Sequence, residues 1–209
     1  MTPARLSISA VHKRYNRRTI FRDIAVEISA PGSLAIVGRN GAGKSTLAKI
    51  IAGVLAPTSG SVRLDVNGAE VKREDRHRSI GFVSPYLTMY DEFTAVENVV
   101  ILESMRTGRA PAVAEVESLL GEVGLAARRH DRVGTFSSGM KQRVKYATAL
   151  IHRPPLLILD EPTANLDDEG TAFVHRVVER QRESGIVVVA TNEASEAAWC
   201  SSRIELGTR

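Results

Sequence analysis

An unbroken apolar run, Leu34-Ala35-Ile36-Val37, passes directly into Gly38-Arg39-Asn40-Gly41-Ala42-Gly43-Lys44-Ser45-Thr46. Leu47, Ile50 and Ile51 then follow at helical spacing, with Gly53 as the expected helix C-cap. No other junction in the 209 residues constrains the fold as tightly. The spacing is G-x-x-x-x-G-K-[ST], placed between a strand and a helix, which is the context in which this motif cradles phosphate. The residue types explain why. Glycines reach positive φ and let backbone N–H groups approach phosphate oxygens. The helix behind them aims its unpaired N–H groups and positive dipole end at the same anion. Lys44 can reach the β- and γ-phosphates, and the Ser45 hydroxyl can ligate Mg²⁺. Residues 38–46 are therefore the expected binding loop.

Two further apolar runs end in polar residues. Leu156-Leu157-Ile158-Leu159 leads into Asp160-Glu161, and Ile186-Val187-Val188-Val189-Ala190 leads into Thr191-Asn192. Such runs suit strands buried on both faces of a parallel sheet, whose carboxyl ends bind ligands. Two adjacent carboxylates at a buried strand end are costly without a cation. Mg²⁺ supplies that cation, so Asp160 is expected to hold the ion's water shell and Glu161 to orient or deprotonate an attacking water. Alone, Asp-Glu-Pro also reads as a polar turn; the phosphate loop favours the metal reading.

Helical patterns lie between these runs. Phe173, Val174, Val177 and Val178 mark one buried face over Asp168–Arg182, and Val113, Val116, Leu119, Leu120 and Val123 mark another. Thr94 to Ile151 reads as mostly helical, broken at Gly108 and Pro111, while Leu6 to Ile28 alternates as antiparallel strand does. No repeat or low-complexity tract divides the chain. The expectation is an α/β fold: a mainly parallel sheet, an N-terminal antiparallel β layer and an inserted α-helical subdomain. Residues 1–209 form one domain, with about 1–85 and 152–209 as nucleotide-binding core and about 86–151 as the helical part.

A net charge of +4 favours anionic ligands without choosing among them. The single cysteine, Cys200, permits no internal disulfide and fits a reducing compartment. No stretch reaches the ~20 apolar residues of a membrane span, and the N-terminus lacks a signal-peptide apolar region. The chain is expected to be soluble by itself and to reach a membrane only through a partner.

These motifs resemble those of the ATP-binding cassette family. Phe136-Ser137-Ser138-Gly139-Met140-Lys141-Gln142-Arg143 is similar to its LSGGQ-x-Q-R signature, Leu156 to Pro162 to its Walker B strand, and Ala164-Asn165-Leu166-Asp167 to its D-loop. The resemblance runs from about Leu6 to Leu206. It implies a P-loop NTPase core, ATP and Mg²⁺ as ligands, and adenine stacked on Tyr15. It also implies a second subunit whose Ser137, Ser138 and Gly139, ahead of a helix expected from Met140, close on the γ-phosphate. A membrane permease would dock on the segment holding Tyr86, Leu87, Met89, Tyr90 and Phe93, which carries three of the chain's nine Phe and Tyr residues. The implied location is the cytoplasmic face of the cell membrane. Chain length resembles small export-type subunits, the haem-exporter group included.

The sequence departs from the family pattern at three places. Pro85 stands where the Q-loop glutamine is usual and offers no side-chain amide. Asn192 replaces the switch histidine; its amide can donate to the γ-phosphate but carries no proton or charge. Ser138 and Met140 replace a glycine and a glutamine in the signature. The first two changes remove groups that finish hydrolysis while Lys44 and Glu161 remain, so tight ATP binding with slow turnover is expected. Two readings stay open: an ATPase that energises a transporter, and a hydrolysis-impaired regulatory subunit paired with a competent one. Chromosome-maintenance and repair ATPases share the signature but carry long coiled coils; here 116 positions separate Lys44 from Asp160, without sustained heptads. Nucleic acid is not an expected partner. A translation-associated protein would need two cassettes in one chain.

Overall fold

In the computed structural model, which describes residues 3–164 and 166–207, the three apolar runs form adjacent strands at the centre of one sheet. The strands are β1 (Ala4–Tyr15), β2 (Arg18–Ser29), β3 (Gly32–Gly38), β4 (Ser59–Val66), β5 (Ala69–Val71), β6 (Ile80–Val83), β7 (Leu156–Asp160), β8 (Ile186–Thr191) and β9 (Ser202–Leu206). The helices are α1 (Lys44–Ile51), α2 (Ala95–Thr107), α3 (Val113–Glu122), α4 (Ser138–Leu150), α5 (Asp168–Arg182) and α6 (Ala194–Ala197). One sheet has the order β6-β7-β8-β3-β9 and is parallel throughout. The other, β2-β1-β4-β5, is antiparallel.

The central strands show no sequence alternation because both faces are covered. Leu156, Ile158, Ile186, Val188, Leu34 and Ile36 pack toward α1 and the antiparallel layer. Leu157, Leu159, Val187 and Val189 pack toward the helices between 95 and 178. The four leucine and isoleucine side chains of β7 are fully buried, each worth about 1.5–3 kcal/mol relative to exposure. Parallel pairing puts the ends of β6, β7, β8 and β3 side by side along one edge.

Three local expectations shift. Ala52 is the C-cap of α1, and Gly53, with φ of 80°, follows it in the left-handed conformation; that next position is where glycine avoids a Cβ penalty. The signature helix starts at Ser138 rather than Met140, because the Ser137 hydroxyl accepts the Met140 N–H at 3.2 Å and makes Ser137 the N-cap. Val113 is 53% exposed, since α3 buries Val116 and Leu120 instead. Gly108 ends α2 with φ of 77°, as its breaker role requires.

By Ile80, at the amino end of β6, α2 and the end of α4 share a buried polar cluster. Arg106 donates to the Thr148 carbonyl at 2.9 Å and to Nδ1 of His152. Burial first, and the Arg106 charge second, push the His152 imidazole down to about 3, against a backbone hydrogen bond with Ile80 that favours the proton. A neutral folded histidine that protonates near 6.5 when unfolded makes the unfolded chain the better proton binder between those values. Its stabilising contribution is present above pH 6.5 and is lost as pH falls toward 3. Denaturant unfolding at pH 8 and pH 5 should show the parent losing about 2 kcal/mol more than His152→Gln. Equal losses would rule out His152 as the cause.

Candidate functional site

The loop after β3 is shaped around its own lysine. Lys44 is buried, and its Nζ donates to the Gly38 carbonyl at 2.9 Å and the Arg39 carbonyl at 3.3 Å. Gly38, Gly41 and Gly43 have φ of 155°, 81° and 102°. Gly43 is the most constrained: a Cβ there would lie 2.4 Å from Ile20 Cγ2, and its backbone is left-handed. Gly43 caps α1 with no side-chain hydrogen bond, and the first turn holds no acidic residue. The first N–H groups of the helix are thus left to an external anion. Arg39, Asn40 and Gly41 are exposed, while Ala42, Ser45 and Thr46 are half-buried.

Asp160, at the end of β7, is fully buried. The Ser45 hydroxyl donates to its Oδ1 at 2.9 Å, so loop and strand end meet across the intervening β8. Burial pushes the Asp160 carboxyl above its usual range. The Ser45 hydrogen bond opposes this, Glu161 reinforces it, and Lys49 and Ser84 oppose it more weakly. A desolvated carboxylate beside a hydroxyl suits Mg²⁺, which takes one or two carboxylates and completes its shell with water and substrate phosphate oxygens. Among the described residues no group of three or more His, Cys, Asp or Glu could hold a metal ion. Glu161 has φ of 49°; its N–H donates to the Ala190 carbonyl at 2.9 Å and its carbonyl accepts from Ala164 at 3.2 Å. Such a conformation costs a non-glycine residue about 1 kcal/mol or more and is retained where surrounding structure enforces it.

The remaining edge residues divide. Asn192, just past β8, is exposed, its amide 3.5 Å from Glu193. Pro85 is exposed as well, but its neighbour Ser84 is buried and donates to Oδ2 of Asp160 at 3.4 Å. Sequence reasoning fixed on Pro85 and missed Ser84, whose meaning lies in a contact with Asp160, 76 residues away. Lys145, on α4, donates to the Ser84 and Pro85 carbonyls at 3.3 and 3.2 Å. It too was missed.

Ser137 and Ser138 are exposed, with Gly139 half-buried, on a cleft of about 500 Å³ that Arg128, Arg143 and Asp167 also line. No residue of the 38–46 loop lines it. A larger cavity of about 900 Å³, between α3 and α5, is lined by none of the site residues. Tyr15 is exposed beside the β1–β2 turn, with the Lys13 ammonium 4.8 Å from its ring centre. Asn165 lies outside the described residues.

The aromatic segment is only partly a surface. Tyr86, Tyr90 and Phe93 are 75%, 42% and 40% exposed, but Met89 is buried in the helical core and Leu87 packs against it. Met89 is thus removed from the expected docking face by its packing. Tyr90 and Phe93 meet edge to face at 5.7 Å. Asn98, fully buried, holds the segment: its Oδ1 accepts the Tyr90 N–H at 2.8 Å and its amide donates to the Tyr90 and Thr94 carbonyls at 2.9 Å each.

Comparison with known proteins agrees with this geometry. The ABC transporter family model matches residues 21–164. The lipoprotein-releasing system ATP-binding protein LolD of Geobacter metallireducens is 38% identical over 200 residues, covering 91% of this chain and 88% of LolD. The aliphatic sulfonates import ATP-binding protein SsuB of Burkholderia thailandensis is 34% identical, over 97% of this chain and 58% of its own length. A dimeric ATP-binding cassette in a post-hydrolysis state with ADP and phosphate superposes with a TM-score of 0.85, covering 96% and 94% of the two chains; at 24% identity it speaks to fold. The chain belongs to the ABC transporter family. It is an ATP-binding cassette subunit and an ATPase. No described helix is long and apolar enough to cross a membrane.

Proposed function

We propose that this subunit binds Mg-ATP between its own 38–46 loop and Ser137, Ser138 and Gly139 of a second cassette, and that closure drives a membrane permease. The observation that carries this reading is the Ser45–Asp160 hydrogen bond, which joins the phosphate loop to the metal-facing acid. Lys44 neutralises the β- and γ-phosphates; Ser45 and Asp160 hold Mg²⁺, which when bound offsets charge on the phosphates. Glu161 takes a proton from the attacking water, Asn192 donates its amide toward the γ-phosphate, and Tyr15 stacks on adenine. The separation of the signature cleft from the loop within one chain supports a head-to-tail pair.

Turnover is slow in this scheme, because Pro85 and Asn192 supply neither an amide at the Q-loop position nor a titratable group beside the γ-phosphate. The same two residues favour the second reading, a regulatory subunit beside a competent partner. Tyr86, Tyr90 and Phe93, with Leu87 at their base, form the docking edge for the permease, which places the subunit at the cytoplasmic face of the membrane. Aromatic anchors often contribute about 2 kcal/mol each to an interface. Tyr90→Ala with Phe93→Ala should therefore weaken capture of the permease from solubilised membranes by at least about thirtyfold, with ATP affinity retained. Undiminished capture would remove the aromatic edge from the scheme.

A further inference from the structure

The loop after β6 carries Pro85 in the position facing solvent and Ser84 in the position facing the acids. Ser84 thus brings the loop's hydroxyl to Asp160, at 3.4 Å from Oδ2, while Ser45 occupies Oδ1 at 2.9 Å. Hydroxyls from two distant segments therefore hold both oxygens of one buried carboxylate. Beside the Leu87 N–H, a side chain from elsewhere holds the Ser84 carbonyl. Lys145 crosses from α4 to the Ser84 and Pro85 carbonyls, 61 and 60 residues away in sequence. The next residue on α4, Tyr146, donates to the Pro162 carbonyl at 3.0 Å, just beyond Glu161. Two successive side chains of the helix that carries the signature residues thus reach the loops after β6 and β7.

We propose that Lys145 is a positioning residue: it holds the Ser84 backbone so that the Ser84 hydroxyl orients Asp160, tying the acid's geometry to the placement of α4. The proposal rests on the Mg-ATP reading above. A lysine fits this task because its ammonium carries several donors on a flexible stem and can grip two successive carbonyls at once. Hydrogen bonds from a charged donor are worth roughly tenfold or more in an equilibrium constant, enough to keep a short loop in one arrangement. When α4 moves, the grip moves the Ser84 carbonyl, and the hydroxyl leaves or regains Asp160. The link does not pass through a titration and does not require Lys145 to touch nucleotide.

The test uses the full chain and two readouts. The first is amide exchange without metal or nucleotide at Tyr86, whose N–H points to Ser84 Oγ at 3.4 Å, and at Leu87, whose N–H donates to the Ser84 carbonyl at 3.1 Å. In Lys145→Met these amides should exchange about tenfold faster, with Lys145→Arg restoring protection. The second is Mn²⁺ binding in the presence of ATP, followed by electron paramagnetic resonance. Lys145→Met and Ser84→Ala should each raise the half-saturating Mn²⁺ concentration about five- to tenfold, and the double variant should be no worse than either alone. Circular dichroism and cooperative melting check that each variant is folded. Unchanged exchange and metal binding in a folded Lys145→Met, or additive losses in the double variant, would overturn the proposal alone. A parent chain that binds no Mn-ATP would overturn the Mg-ATP reading and this proposal with it.

Discussion

Glu161→Gln should cut steady-state phosphate release by at least about a hundredfold, the scale of a lost general base, while ATP binding persists. Glutamine keeps the size of the side chain and leaves the backbone contacts of Glu161 with Ala190 and Ala164 in place. It removes only the ability to accept a proton at the water. Because binding still closes the pair and hydrolysis no longer reopens it, ATP-bound dimers should accumulate and be visible by light scattering. A variant that releases phosphate at the parental rate would deny Glu161 its role. The same assay reads the parent: turnover as fast as that of cassettes with a Q-loop glutamine and a switch histidine would overturn the slow-turnover reading. No Glu161-dependent release at all from a homodimer would favour the regulatory one.

Lys44→Ala should produce the largest loss of affinity, with the dissociation constant for ATP rising at least about a hundredfold. The estimate follows from two charge-assisted contacts with phosphate oxygens, each worth about 1.5–3 kcal/mol. Alanine also leaves the Gly38 and Arg39 carbonyls without their Lys44 donor. Lys44→Arg should not rescue, because Lys44 is buried and a planar guanidinium does not fit a cavity shaped for an ammonium. Titration of a fluorescent ATP analogue checks both variants; affinity within threefold of the parent in Lys44→Ala would contradict the cradle.

The parts of this site that a linear reading reveals are those whose chemistry is contiguous. Gly38 to Ser45 is a strand end, a turn and a helix start in one stretch, and its spacing already contains the anion pocket. Asp160 and Glu161 stand out because two acids after four buried aliphatics need a reason. The central strands are legible because burial on both faces leaves unbroken apolar runs. Ser84 and Lys145 are not legible, since their meaning lies in contacts with partners 76 and 61 residues away. An unusual proline drew attention to position 85, whereas the backbone turns its neighbour inward. The segment from Tyr86 to Phe93 shows another limit. Its composition announces a cluster but not which side chains face out, and the buried Asn98 amide that arranges it gives no local signal. Helix ends moved by one or two positions where a cap, rather than the apolar stripe, decides them.

The carbonyl contacts of Lys44 have a bearing on how a nucleotide arrives. Within the chain the Lys44 ammonium is already hydrogen-bonded to the Gly38 and Arg39 carbonyls. Loading is therefore a swap of acceptors and not the filling of a void, and a newcomer must outbid two peptide oxygens. A triphosphate tail offers enough negative charge to do so; a neutral nucleoside does not. The loop thereby screens visitors by charge before shape is consulted.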